Sequence, residues 1–307
     1  MKRYDYSQTF TLIHASFYAL LASCTLSVSA YAGQLDKIRE TREITIAHRD
    51  ASIPFSYLDD QKKPIGYAMD LCLKIVAALE RELKISVIKI NYLPVTSASR
   101  IPAIVEGKAA LECGSTTNTS DRRKQVDYTI SHFISSARFL VRTDTGIDKL
   151  EDLIGKTVTS TKGTTNIKTL ARIDAERLLK LKIVESQDHA EAFSMVVNKK
   201  ADAFAMDDVL LFGLRANAAQ PEVLKVIGKP MTIEPYAIML PKADPAFKKV
   251  VDAEMRRIML SGEINAIYKK WFERPIPPKG INLALPMPYF LRDSIKYPSD
   301  KVADLID

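Results

Sequence analysis

The stretch AALECGSTTNTSDR, residues 109–122, runs from small apolar residues into five hydroxyl side chains, a glycine and an arginine. Residues 109–113 read as a strand, and the rest as a turn that could hold a ligand. Gly114 lets backbone approach closely, Ser115 and Thr117 offer short hydrogen-bonding groups, and Arg122 can fork onto a carboxylate. Such a turn is by itself an ordinary solvated loop. Its place after a strand matters, because ligands of open α/β sheets bind beyond the carboxyl ends of the strands.

Working outward, the same arrangement recurs. A strand over 157–161 ends in Lys162-Gly163-Thr164-Thr165 before a helix over 166–180. The first turn lies among strands expected at 44–47, 85–92 and 135–141 and helices at 70–84, capped by Asp70, and 97–106. The second is followed by strands at 182–185, 203–206 and 223–227 and helices at 190–198 and 209–216. A segment over 236–240 then leads into helices at 245–260 and 263–272. Two such alternating series predict an α/β protein of two lobes, each a mostly parallel sheet flanked by helices. The expected limits are 33–141 for the first part of lobe 1, 142–234 for lobe 2, and 235–307 for the return to lobe 1. Two glycine- and hydroxyl-rich turns facing each other would clamp one small anion, helped by the helix N-terminus after Thr165.

The totals fit a globular protein: 307 residues, 47% hydrophobic and 26% charged. Residues 1–32 are set apart. Lys2 and Arg3 precede an apolar run over 10–30, and Ala30-Tyr31-Ala32 supplies the small residues of a cleavage site, so a signal peptide is expected. A membrane anchor is an alternative, as is a lipid anchor at Cys24 in Leu21-Ala22-Ser23-Cys24. Each reading exports the chain, and a periplasmic location is expected. The net charge of +7 is spread over helix faces without interleaved aromatics, which argues against nucleic acid. There is no CxxC and no zinc spacing, so neither metal nor cofactor is expected. Cys72 and Cys113 form one disulfide or remain two buried thiols; spacing leaves both open.

Several further residues can carry binding chemistry. Asp207 ends a strand, where it caps the next helix or faces the cleft to pair with an ammonium, and Asp208 is its rival for either role. Arg49 follows the first strand, Arg100 follows Val95-Thr96-Ser97, and His189 opens a helix as a neutral donor or an exposed first-turn residue. Gly155-Lys156-Thr157 is no phosphate loop, since Leu150 stands where the first glycine belongs and the tripeptide precedes its strand. Hydrolase signatures such as GxSxG and HExxH do not occur.

The stretches HRDASIPFSYLD (48–59), PIGYAMDL (64–71), ECGSTTNTSDRR (112–123), TKGTTN (161–166), DHAEAF (188–193), AFAMDDVLL (203–211), IGKP (227–230) and KKWFERPIPP (269–278) resemble the polar amino-acid-binding proteins of ATP-binding-cassette importers, solute-binding family 3. The likeness runs in order through nearly the whole chain after residue 32. It departs at Ala98-Ser99, over 118–121 and at Cys72. It implies the type II periplasmic-binding-protein fold, with two hinge crossings near Val141 and Pro235, and a monomer that delivers its ligand to importer permease subunits. It further implies that Arg122, Ser115, Thr117 and the Thr165 segment hold an α-carboxylate and that Asp207 holds the ammonium. Arg49, Arg100, Ser97 and His189 would then receive a side-chain carboxylate. A count of three arginines against Asp207 points to an acidic amino acid, glutamate or aspartate, because buried charge must be matched. Two other functions carry over from the scaffold: an exported enzyme of the cyclohexadienyl dehydratase type, and a sensing module that docks to a receptor. The former needs a cleft carboxyl group as general acid, and no Asp or Glu beyond Asp207 stands out beside the ligand residues.

Overall fold

The computed structural model describes residues 33–301. The expected signal peptide and Cys24 lie outside them. After α1 (Gln34–Thr41), β1 (Glu43–His48) enters the first sheet; a small three-stranded flap follows, made of β2 (Ala51–Ser52), β3 (Ser56–Leu58) and β4 (Pro64–Ile65). The chain continues through α2 (Tyr67–Leu83), β5 (Lys89–Pro94), α3 (Arg100–Val105), β6 (Leu111–Cys113), α4 (Ser120–Arg123) and β7 (Val126–Tyr128). It leaves this lobe along β8 (Phe133–Ser135).

The second lobe comprises β9 (Ala137–Arg142), β10 (Thr157–Thr161), α5 (Thr165–Arg177), β11 (Lys182–Ser186), α6 (His189–Val197), β12 (Ala203–Asp207), α7 (Asp208–Ala216) and β13 (Leu224–Ile227). The return runs along β14 (Glu234–Tyr236) and β15 (Met239–Pro241) into α8 (Pro245–Leu260), α9 (Glu263–Phe272) and α10 (Tyr289–Lys296).

The two sheets share one plan. Their strand orders are β5-β1-β6-β15-β7 and β11-β10-β12-β9-β13. The first three strands of each are parallel, and the fourth runs against both neighbours. That fourth strand is the one arriving from the other lobe: β9 follows β8, and β15 follows β14. Between the sheets, β8 and β14 pair antiparallel, Glu234 opposite Ser135 and Tyr236 opposite Phe133. The crossing expected near Pro235 is this β14, whereas Val141 lies inside β9 and pairs with Ala203 and Lys225 in the second sheet. The apolar run over 137–141 reads as a strand of either lobe, and only its long-range partners assign it.

An aromatic cluster packs behind the crossing. Phe55 meets Phe133 at 4.9 Å and Tyr236 at 5.0 Å, edge to face, while Tyr268 and Phe272 stack at 4.3 Å. Edge-to-face and stacked pairs of this kind each add about 0.5–1.5 kcal/mol beyond burial. They fix the short hinge strands, which have little hydrogen bonding of their own.

Local expectations change around α2, and one open alternative closes. Helix α2 begins at Tyr67, not Asp70; a Cβ on Gly66, at φ 139°, would sit 2.2 Å from the Phe55 carbonyl, so only glycine fits there. Asp70 instead accepts from Trp271 Nε1 at 2.7 Å and Lys270 Nζ at 2.6 Å, tying α2 to α9. Cys72 and Cys113 are bonded, their Cα atoms 6.3 Å apart, which pins α2 to the end of β6 just before the Gly114 turn.

Candidate functional site

Strand ends and helix starts from both sheets meet at the crossing. On the first lobe, Thr116–Asn118 is laid against the hinge: Asn118 N–H donates to the Pro235 carbonyl at 2.8 Å and Ala237 N–H to that of Thr116 at 3.0 Å. Arg100, at the start of α3, turns inward with only 2% exposure. It donates to the Thr116 hydroxyl at 2.6 Å and more distantly to the Ser115 carbonyl. Arg122 follows the cap made by the Thr119 hydroxyl and donates to the Thr117 carbonyl at 2.9 Å. Its other terminal nitrogen reaches the Gly163 carbonyl of the second lobe at 3.1 Å. Arg49 is buried, and its Nη1 has no partner among the described residues.

The three guanidinium groups feel one another. The Arg100 pKa is pushed down to about 9, first by burial and then by the charges of Arg122 and Arg49. His189 is held well below its ordinary range by burial, Arg49 and Arg100, which keeps it neutral, with Nδ1 hydrogen-bonded to the Thr161 hydroxyl at 2.9 Å. Desolvated positive groups crowded together favour an incoming anion.

On the second lobe, Asp207 makes no cap. Its carboxylate accepts from Asn166 Nδ2 at 2.8 Å and from the Tyr236 hydroxyl. Burial, and after it the charge of Glu234, raises its pKa to about 7. The rival Asp208 accepts from the Ser135 hydroxyl at 2.7 Å and so serves the hinge. Ser97, Arg100, Ser115, Thr117, Thr165, His189 and Asp207 line one cavity of about 10 Å3. Arg122 instead lines a groove of about 590 Å3 with Gly163 and Thr165; it and Arg49 are not in the lining of the cavity, although their charges reach Arg100. The hydroxyls of Ser97 and Ser115, Nε of Arg100 and Oδ1 of Asn166 are buried there without partners among the described residues. Buried polar groups are normally paired, so this concentration makes the cavity the candidate site for a polar ligand.

Two carboxylates went unread in the sequence. Glu112, fully buried on β6, accepts from the Thr116 hydroxyl at 2.6 Å and offsets the charges of Arg49 and Arg100. Glu234, fully buried on β14, accepts from Thr117 at 2.7 Å and from Thr165 at 2.8 Å. The count of three arginines against one carboxylate therefore becomes three against three, and no longer selects the ligand. The expectation of no further acid beside the site also falls. A glutamate inside an apolar strand was the available signal, since such residues are almost never buried unless paired. Among the described residues, no group of three His, Cys, Asp or Glu is disposed to hold a metal ion.

Comparison with known proteins agrees with this architecture. The solved ancestral amino acid-binding protein that is a precursor of cyclohexadienyl dehydratase superposes with a TM-score of 0.65 at 28% identity, covering 79% of this chain and all of that one. The cysteine-binding protein of Campylobacter jejuni has the same fold, with a TM-score of 0.68 over 78% of this chain and 92% of its own. In sequence, the L-glutamate/L-aspartate-binding protein of Pseudomonas aeruginosa is 44% identical over 96% of this chain and 98% of its own length. The glutamate/aspartate import solute-binding protein of Escherichia coli is 36% identical over 92% and 93%. Residues 44–274 match the model of the bacterial extracellular solute-binding proteins, family 3, and to that family the chain belongs.

Proposed function

We propose that this protein captures one acidic amino acid, glutamate or aspartate, outside the cytoplasm and hands it to the permease of an ABC importer. The observation that carries the reading is Arg100 in the lining of a buried polar cavity, its Nε without a partner among the described residues and the charges of Arg122 and Arg49 close enough to act on it, with Asp207 in the same lining. The acidic ligands printed for the relatives from Pseudomonas and Escherichia support it. In this reading Arg122 holds the α-carboxylate and Asp207 the ammonium, while Arg49, Arg100, Ser97 and His189 meet the side-chain carboxylate. The first lobe runs over 33–132 and 237–301 and the second over 137–233, with β8 and β14 crossing between them, and residues 1–32 act as the export signal.

A cavity of about 10 Å3 holds roughly one water. An amino acid therefore enters only when the lobes part about β8 and β14, and they close on it with more room than this arrangement leaves. Closure excludes water and strengthens every charged contact inside. No covalent step is proposed. Because Asp207 titrates near 7, where a general acid works well, the ligand recovered after binding is to be checked for chemical change.

The test is a division of roles. Arg122→Ala removes binding of every α-amino acid, whereas Arg100→Ala removes binding of dicarboxylic amino acids selectively. Equal losses in both variants would contradict the assignment.

A further inference from the structure

Glu234 belongs to the crossing strand, between the lobes. One oxygen of its carboxylate, Oε2, accepts the hydroxyl protons of Thr117 from the first lobe and Thr165 from the second, at 2.7 and 2.8 Å. Its other oxygen, Oε1, is buried without a partner among the described residues. A threonine hydroxyl has one proton to give and two lone pairs. With both protons committed to Glu234, Thr117 and Thr165 present only lone pairs to the cavity they line.

The neighbours on that wall have the same polarity. The Asn166 amide nitrogen must face the Asp207 carboxylate to donate its 2.8 Å bond, so its oxygen, buried and unpartnered, is left as an acceptor. Asp207 itself only accepts when ionised. The opposite wall is rich in donors, with Arg100 and the free hydroxyls of Ser97 and Ser115. The cavity is therefore polarised, and the threonines stand on the side suited to a cation rather than to the α-carboxylate expected of them from sequence.

We propose that Glu234 is a specificity-determining positioning residue: by taking both threonine protons it turns Thr117 and Thr165 into ammonium acceptors, so the site demands an amino group and rejects a dicarboxylate lacking one. The proposal rests on the acidic-amino-acid reading above. It gives the hinge strand a chemical role beyond its mechanical one, because the contact forms only when both lobes lie against β14.

The test compares L-glutamate with glutarate, which has the same chain and no amino group, by calorimetric titration. Wild type, Glu234→Met, Glu234→Ala and Glu234→Gln are used, with thermal melting to verify folding. Met is about the same size and offers no oxygen to the threonine hydroxyls, so it remains informative if Ala does not fold, while Gln keeps a carbonyl oxygen that can accept both protons and removes only the charge. The wild type is expected to prefer glutamate strongly. In E234M that preference is expected to shrink at least tenfold, glutamate weakening while glutarate stays level or tightens, and E234Q is expected to keep most of it; an E234Q as impaired as E234M would assign the effect to the charge of Glu234 and overturn the role of the threonine protons. A purely structural role would weaken both ligands by one factor and leave the ratio unchanged, which would overturn this proposal while the acidic-amino-acid reading stands. A wild type that binds no acidic amino acid would overturn both.

Discussion

Replacing Gly163 by alanine separates closure from folding. Gly163 lies at φ +79° in the turn between β10 and α5, and a Cβ built there would stand 2.7 Å from Ala98 Cα, 2.8 Å from Ala98 N and 2.9 Å from the Ser97 carbonyl carbon. All three are backbone atoms of the first lobe, with no flexible side chain to yield. Two costs follow, and they fall on different states. The left-handed backbone costs a residue with a Cβ about 1–2 kcal/mol whether the lobes are apart or together, so it lowers stability but cancels from ligand affinity. The collision arises only when the lobes meet, and overpacking of this kind costs typically ~1–3 kcal/mol. Charged to the closed state alone, that weakens ligand about 5- to 150-fold. Gly155 is the control: it has φ +71°, yet nothing lies within 4 Å of its built Cβ. Titration of glutamate into both variants, beside thermal melts, should show similar losses of stability and a loss of affinity confined to Gly163→Ala. Equal affinities in the two variants would refute the idea that this turn closes onto Ser97-Ala98 when ligand is held.

Binding should be linked to protons through Asp207. Its pKa is raised to about 7 from the ordinary 3.8, and a bound ammonium would return it to the ionised form, so ligand expels a proton. Affinity should be flat above pH 7 and fall toward about tenfold per unit below it, with proton release seen in buffers of different ionisation heat; affinity independent of pH between 5 and 8 would contradict this. The same shift fixes a stability sign: the stabilisation from protonated Asp207 is fully present below pH 3.8 and is lost as pH rises through 7. Ligand should therefore raise the melting temperature more at pH 8 than at pH 5. The Cys72–Cys113 bridge closes a separation of 41 residues, for which loop entropy gives roughly 4 kcal/mol. Reduction, or Cys72→Ala with Cys113→Ala, should lower the melting temperature by about 10 °C at ~2–4 °C per kcal/mol. An unchanged melt would mean that packing around α2 and β6 carries that link without the bond.

Regular elements were legible where one periodicity ran uninterrupted. The strand at 157–161 and the helices at 245–260 and 263–272 have the limits their patterns gave. The hinge strands were harder to read, since three residues show no periodicity and their identity comes from pairing across the sequence. Helix α1, α10 and the strand at 126–128 were not anticipated, being short and partly polar. The site was readable in its cations, because an arginine after a strand end invites an anion. Of its buried acids, Asp207 was readable at a strand end and the two glutamates were not. Glu112 and Glu234 sit inside strands, where their partners, Thr116 for one and Thr117 with Thr165 for the other, are set by tertiary packing. The charge count that favoured a dicarboxylic ligand was therefore incomplete, and the polarity of the cleft wall became visible only with the hydroxyl bonds in place.

The most direct measurement is calorimetric titration of the protein without its first 32 residues against each of the twenty amino acids. Glutamate or aspartate should bind one to one and be recovered unaltered, with neutral and basic amino acids weaker by about a hundredfold or more, the ~3 kcal/mol scale of leaving the unpartnered nitrogens of Arg49 and Arg100 without a carboxylate. Tight binding of a neutral or basic amino acid in preference to both acids would contradict the account, as would no binding at all.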